Sequence, residues 1–455
     1  MADSPQRRRH PFLTVAAIIA GLFLVIYVSQ HWDRCAGGKP EPTSPTKSTA
    51  QTAAAAPTTE PETAPPLPTA ADVAFNPDNG TTFSYVNLGS ARRREIYRAM
   101  EAVCQNVTDD TEEDLYKTAS LPLSFRLDDN GDEDFTMAYN AFTNDNPWAF
   151  WPVGGRYINH SDYSEMYLVS EVSPSALAEM RAALDGEVSR FLSGVPSGSD
   201  YEKEKYAHDY VIEHCSYNQE FYDAPDQDAK DSLGTANPQV YTAYGALCNG
   251  DAVCCGYTRA FQLLCDRMHI DCAFLVGTGS VPDGGDEYHN WNAVRLDGEW
   301  YMVDVTWDDK PDTAFRYRYF NVDADRIAAD HAAGVVSGDK DDYNARVENF
   351  FLPACHATRY CYYLCDAECT HITDITGTQI AQAIVSRLRQ GSREVTLYLD
   401  PQYISYDAAI SAIFDGDGYM NRYMEYMYDN SPYGYTHYHY WTLPDRSALV
   451  IRMEE

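Results

Sequence analysis

Asp297-Gly298 lies between two runs of alternating apolar residues. It is the pair that a two-residue type I′ turn requires, because both central positions take positive φ. A turn there leaves one register, in which Leu296 faces Glu299, Trp291 faces Asp304 and His289 faces Thr306. Side chains alternate with period two, so His289, Trp291, Ala293 and Arg295 share a face with Trp300, Met302, Asp304 and Thr306. His289 and Asp304 are then diagonal neighbours, about 7–8 Å apart at the backbone, a gap that an imidazole and a carboxylate bridge. A slip of one residue would send them to opposite faces. The other face holds Val294, Leu296, Tyr301, Val303 and Val305, so the sheet is expected to be buried on both sides.

The stretch that ends in this hairpin opens at Ala252 with A-V-C-C-G-Y-T-R-A-F. From Cys255 to Ile270, residues Ala260, Phe261, Leu264, Cys265 and Met268 recur at helical spacing. This predicts a helix beginning near Cys254, with Gly256 allowing close backbone approach at its first turn. A thiol at a helix N-terminus meets the positive end of the macrodipole, which is expected to lower its pKa. The unpaired amides there suit an oxyanion. Thiol, imidazole and carboxylate in this order supply a nucleophile, its base and the base's orienter. Ordinary core packing would leave unexplained why His289 and Asp304 share a face behind a cysteine that starts a helix.

Three motifs carry a resemblance. They are Tyr244-Gly245-Ala246-Leu247-Cys248-Asn249-Gly250-Asp251-Ala252-Val253-Cys254-Cys255-Gly256-Tyr257, His289-Asn290-Trp291-Asn292, and Val303 to Asp309. Together they resemble the transglutaminase-like superfamily, in particular bacterial transglutaminase-like domains of cysteine-protease type, over about residues 200 to 365. The resemblance implies an α+β fold with a papain-like or transglutaminase-like core, in which a nucleophile helix packs on an antiparallel sheet flanked by α/β domains. It places the nucleophile on Cys254, the base on His289 and the orienting acid on Asp304. Tyr244, Cys255, Trp291 and Asn292 are the oxyanion and cleft candidates. The family pattern has one cysteine where this chain has two. Adjacent residues at a helix start point about 100° apart, so Cys255 is expected to be a small buried neighbour or the partner of another cysteine. No cofactor and no metal is implied.

Acidic residues number 68 against 34 basic ones, and the net charge of −34 disfavours nucleic acid as a partner. The N-terminus is the exception. Arg7-Arg8-Arg9-His10 precede an uncharged run from Phe12 to Val28. That run exceeds the roughly 7–15 residues of a secretory core and reaches the roughly 17–25 of a spanning helix. The expected order is a cytoplasmic N-terminus (1–11), a transmembrane signal anchor (12–28) by the positive-inside rule, and a Pro-, Thr- and Ala-rich linker (29–71) that cannot bury a core. Domains beyond it would be extracytoplasmic and tethered to the cell membrane; a chain secreted after cleavage is the alternative. Twelve cysteines in an exported chain suggest disulfides, with Cys254 left free.

Residues 72–199 read as an N-terminal α+β domain, with helices at Arg92–Val107 and Pro174–Leu192 and a strand at Met166–Val172. Asp128 to Asp134 lacks calcium-loop spacing and reads as a solvated acidic turn. The catalytic domain is expected over 200–371. It would open with an amphipathic helix at Asp200–Ser216 whose capping box is Ser199 with Glu202. Loops are expected at Tyr222–Gly234 and Val281–Tyr288, and a helix at Ala324–Ala333. Cys355, His356, Cys361, Cys365, Cys369 and His371 crowd together without a C-x-x-C knuckle, so structural or disulfide cysteines are expected rather than zinc. Residues 372–455 read as a small α/β domain, with helices at Gln379–Arg389 and Ala408–Met427, a strand at Glu394–Leu399 and a closing hairpin. His437 and His439 on that hairpin read as a cross-strand stack.

The expected chemistry is acyl transfer through a thioester on peptide or glutamine-type amides. Hydrolysis, as in a cysteine protease or amidase, stands ahead of protein crosslinking by a transglutaminase. A non-catalytic module that binds peptide or cell-wall polymer is the rival of another class. Peptide or protein, including cell-wall-associated material, is the expected partner.

Overall fold

The computed structural model describes residues 82–454 apart from 128–130, 225–226, 282–284, 335, 338–345, 348, 417 and 432–433. The expected anchor and linker lie outside these residues. Among those described, no helix is long and apolar enough to cross a membrane. The fold is α+β. The described residues form two compact units, one of 82–183 together with those of 336–350, the other of those of 184–335 together with 351 onward.

In the first unit, helices Ala91–Val103 and Gly131–Asp145 accompany an antiparallel sheet. Its strands run in the order Val107–Glu112, Leu115–Thr118, Ser164–Ser170 and Leu121–Pro122, and Gly154–Asn159 also pairs with Ser164–Ser170. The acidic stretch expected as a turn leads into the second helix, where Asp134 receives Arg93 Nε at 2.7 Å.

The second unit begins its core with helix α1 (Asp200–His214). Ser199 caps it: its Oγ accepts from the Glu202 amide at 3.3 Å, and Glu202 Oε2 accepts the Ser199 amide at 2.7 Å. Strand β1 (Ser216–Tyr217) follows and pairs in parallel with β2 (Asp251–Ala252). The intervening acidic loop is instead partly helical, at Gln219–Tyr222 and Gln227–Ala236. Asn218 starts the first of these turns by accepting the Phe221 amide at 2.7 Å, so local capping overrides an acidic composition.

Helix α2 (Cys254–Arg267) buries Ala260, Phe261, Leu263, Leu264 and Cys265. It packs against strands β3 (Cys272–Val281) and β4 (Gly285–Leu296). Strand β5 (Glu299–Val303) returns through Asp297 at φ 48° and Gly298 at φ 86°, and its register runs from Glu299↔Leu296 to Val303↔Asn292, as the turn dictates. The expected loop over Val281–Tyr288 is largely strand, since β3 and β4 stay paired out to Val281↔Gly285.

Pairing of β5 with β4 stops one residue before Asp304. There the chain turns into a one-turn helix α3 (Val305–Asp308), because the Asp304 carboxylate caps it by accepting the Thr306 and Trp307 amides at 3.0 and 3.1 Å. Thr306 therefore does not pair with His289. The segment expected as a helix to Ala333 is helical only at Ala324–Ile327 and ends as strand β6 (His331–Ala333) on the edge of β3. The sheet order is β5-β4-β3-β6, antiparallel throughout.

Downstream, Cys369–Ile372, Glu394–Leu399, Ala448–Glu454 and His437–Leu443 form a second sheet in that order. Helix Gln379–Arg389 covers it with two more, Tyr406–Phe414 and Tyr419–Asn430. A single helix was expected for the last two; Gly416 at φ 58° and the Gly418 cap divide them. Arg446 Nε donates to the Arg318 carbonyl at 2.6 Å, and Arg452 bridges Glu394 and Asp312.

Candidate active site

Cys254 is the first residue of α2, and Val253 before it offers no capping side chain. The amides at the helix start are therefore not consumed by a side-chain cap. Gly256 makes the tight entrance possible: a Cβ there would lie 2.6 Å from the Val240 carbonyl oxygen. The thiol is 7 % exposed, and its hydrogen bond runs to Asn290 Oδ1 at 4.0 Å.

Burial pushes the Cys254 thiol up to about 12, and the Cys255 thiol adds to the rise. The expectation of a depressed pKa is thereby corrected. A helix end contributes about 0.3–2 kcal/mol, whereas desolvation of a fully buried group moves a pKa by up to about 3–5 units. Desolvation wins, and the Cys254 thiol rests neutral.

His289 and Asp304 meet as the hairpin register implies. His289 Nε2 lies 2.7 Å from Asp304 Oδ2, with both side chains buried. Burial alone would raise the Asp304 carboxyl, but His289 and His331 outweigh it and hold it below the usual carboxylate range. The His289 ring sits between Trp291, stacked at 6.0 Å, and Trp307 at 5.1 Å. Glycines on β3 leave room for both indoles: a Cβ on Gly277 would meet Trp291 at 2.5 Å and one on Gly279 would meet Trp307 at 2.7 Å. No hydrogen bond joins Cys254 to His289 among the described residues; the thiol bonds to the next residue, Asn290.

The other expected cleft residues divide. Asn292 is buried and ties the sheet to α2 by donating to the Thr258 carbonyl at 3.2 Å, while its Oδ1 has no partner. Trp291 is a wall of the imidazole pocket. Cys255 is buried beside Cys254 and receives Arg259 Nε at 3.4 Å, which makes it a packed neighbour. Tyr244 stands half-buried at the start of the Gly245–Asn249 turn, where burial and Cys248 raise its phenol. The phenols that feel Cys254 are Tyr217, brought in by the β1–β2 pairing, and Tyr288, which receives Asn290 Nδ2 at 3.2 Å. Neither carries a sequence signal beyond the abundance of tyrosine.

His331 is the residue that sequence reasoning missed most plainly. Its Nε2 lies 2.9 Å from Asp304 Oδ2, the oxygen that also holds His289, and its Nδ1 lies 2.7 Å from Asp330 Oδ1. The atoms of His289, Asp304 and His331 lie within 4.8 Å of one another, close enough for a metal ion. Asp304 Oδ2 joins the two histidines by hydrogen bonds, to His289 at 2.7 Å and to His331 at 2.9 Å. Elsewhere, His437 and His439 are exposed, and His439 pairs with Glu454 at 3.2 Å. The eleven cysteines among the described residues are free thiols, including Cys355, Cys361, Cys365 and Cys369, so the expected disulfides are absent there.

Residues 191–305 match the model of the Transglutaminase-like superfamily, whose members are typically cysteine enzymes. The match encloses Cys254, His289 and Asp304 and stops short of His331. No curated protein matches the chain. Among solved structures, a TGase is similar at 13 % identity and TM-score 0.24, over 42 % of this chain and 52 % of that one. A protein named "Putative Cysteine Protease from Cytophaga hutchinsonii" is similar at 12 % identity and TM-score 0.21, over 33 % of this chain and 61 % of that one. The chain thus spans less than two thirds of either structure.

Proposed function

We propose that the protein is a thiol-dependent acyl-transfer enzyme acting on peptide or glutamine-type amides, hydrolytic in its main outcome. The observation that carries this reading is the buried His289–Asp304 hydrogen bond of 2.7 Å beside a thiol at an uncapped helix start. Cys254 attacks the carbonyl carbon as His289 takes its proton. The developing oxyanion is met by backbone amides at the start of α2. Asp304 holds the imidazole and balances the charge it acquires. His289 then returns the proton to the departing amine, leaving a thioester. Water, activated by the same imidazole, releases the acid and restores the thiol; an amine in place of water would give a crosslink. Because the resting thiol is neutral, proton transfer accompanies attack and no ion pair is stored beforehand.

The substrate is a peptide or protein. The basic-then-apolar N-terminus supports an extracytoplasmic setting on the cell membrane, with cell-wall material as one possible target. The test is iodoacetamide labelling of the protein, located by peptide mass, with release of a fluorophore from a peptide-amide library as the activity readout. Labelling of Cys254 should fall at least tenfold in His289→Ala and persist in Cys255→Ala. Labelling indifferent to His289 would replace the enzyme by a binding module on the same fold.

A further inference from the structure

Two histidines share one carboxylate oxygen in this site, and only one of them is needed for the chemistry above. His331 comes from β6, outside the matched family region, and its register partner is Gly279 of β3. A neutral imidazole carries one N–H. At His331 both nitrogens face carboxylates, Asp304 Oδ2 at 2.9 Å and Asp330 Oδ1 at 2.7 Å, so both act as donors only if the ring is an imidazolium. Trp291, Trp307 and Tyr319 surround that ring with centroids at 5.1, 4.3 and 5.3 Å. The Tyr319 hydroxyl fixes the far carboxylate by donating to Asp330 Oδ2 at 2.6 Å. Hydrogen bonds in such a water-poor enclosure are stronger and more directional than at a surface.

We infer that His331 is a positioning residue of the Cys254–His289–Asp304 site, an imidazolium clamped between Asp304 and Asp330 that fixes the carboxylate orienting His289. The inference rests on the acyl-transfer reading. Its physical content is a division of charge. Asp304 divides its negative charge between two imidazoles, so it pulls less strongly on His289 than an unshared carboxylate would. Burial opposes a charge on His331, yet its bonds to the two aspartates carry its pKa up to about 9. The other charged and titratable groups facing this cluster include Cys254 at the start of α2, Tyr217 on β1, the Tyr319 phenol, Asp308 at the far end of α3 with His208 behind it, and Arg318, which bears on Asp330.

The experiment uses the full-length chain labelled with ¹⁵N-histidine, wild type and His331→Gln, and reads imidazole ¹⁵N shifts and the rate of Cys254 alkylation from pH 5 to 10. Wild type should show two buried histidines protonated at both nitrogens at pH 7, His208 and His331, and His331→Gln should lose one of the two. In that variant the pH midpoint of Cys254 alkylation should move up by about one unit, since a cation beside Asp304 has been removed. A wild-type His331 bearing one bare nitrogen at pH 7 overturns the proposal and needs no variant to fold. A folded variant with unchanged midpoints overturns it too, leaving His331 a packing residue. If alkylation ignores His289→Ala, the acyl-transfer reading fails by itself, and the ¹⁵N shifts still decide what His331 does to His289.

Discussion

Asp304 has no acceptor capacity left. A carboxylate offers about four lone-pair sites, and here Oδ1 takes the Thr306 and Trp307 amides while Oδ2 takes His289 and His331. An asparagine keeps the shape and loses half of the function, because its amide must turn an N–H₂ toward either two amides or two imidazoles. Asp304→Asn is therefore expected to lower acylation by about 10³-fold or more and to cost about 1–3 kcal/mol of stability; stopped-flow acylation and urea denaturation measure the two. Gly279→Ala acts on the same pocket from outside. Its methyl would meet the Trp307 ring, and a loss of about 1–3 kcal/mol is expected from overpacking, read as a lower urea midpoint. At this scale His289 and Asp304 were legible because a Asp-Gly turn and period-two alternation leave them one face. Asn290, Tyr217 and Tyr288 were not, since their nearness to the thiol depends on how α2 and the β1–β2 pair stand on the sheet.

The one-turn helix α3 is held at both ends in the same way. Asp304 at its start is bonded to His331, and Asp308 at its end to His208 at 3.2 Å. Each histidine is bonded in turn to a second aspartate, His331 to Asp330 and His208 to Asp209. Sequence pattern had extended β5 through Val305 and Thr306, both good strand formers. Capping by Asp304 and the pairing of Met302 with Val322 instead took the backbone out of the hairpin. The run Ala324 to Ala333 reads as helix by composition, yet the exposed edge of β3 recruits its last three residues as a strand. That tertiary choice, invisible to local propensity, is what brings His331 to the site. Caps were the more readable signals. Ser199→Ala should destabilise the second unit by about 1 kcal/mol without changing Cys254 labelling, measured by urea denaturation beside alkylation.

For the whole molecule, the two clamped histidines make stability depend on pH. His208 and His331 are raised to about 9 in the folded chain, against about 6.5 when unfolded. Their contribution is complete below about 6.5 and is lost as pH rises through about 9. The urea midpoint should decline between about pH 7 and 9.5, and His331→Gln should flatten that decline; an unchanged slope in the variant would remove His331 from the account. The eleven free thiols among the described residues set a second dependence, on time. Nine are buried, and burial raises Cys104, Cys215, Cys265, Cys272, Cys355, Cys361 and Cys369 along with Cys254. Thiol–disulfide exchange needs a thiolate and access, so the finished fold protects these groups while an unfinished one exposes them. Folding in an oxidising medium is consequently a race between collapse and oxidation. Refolding with glutathione disulfide added at time zero should trap mixed products, whereas the same addition after folding should leave Cys254 labelling nearly intact.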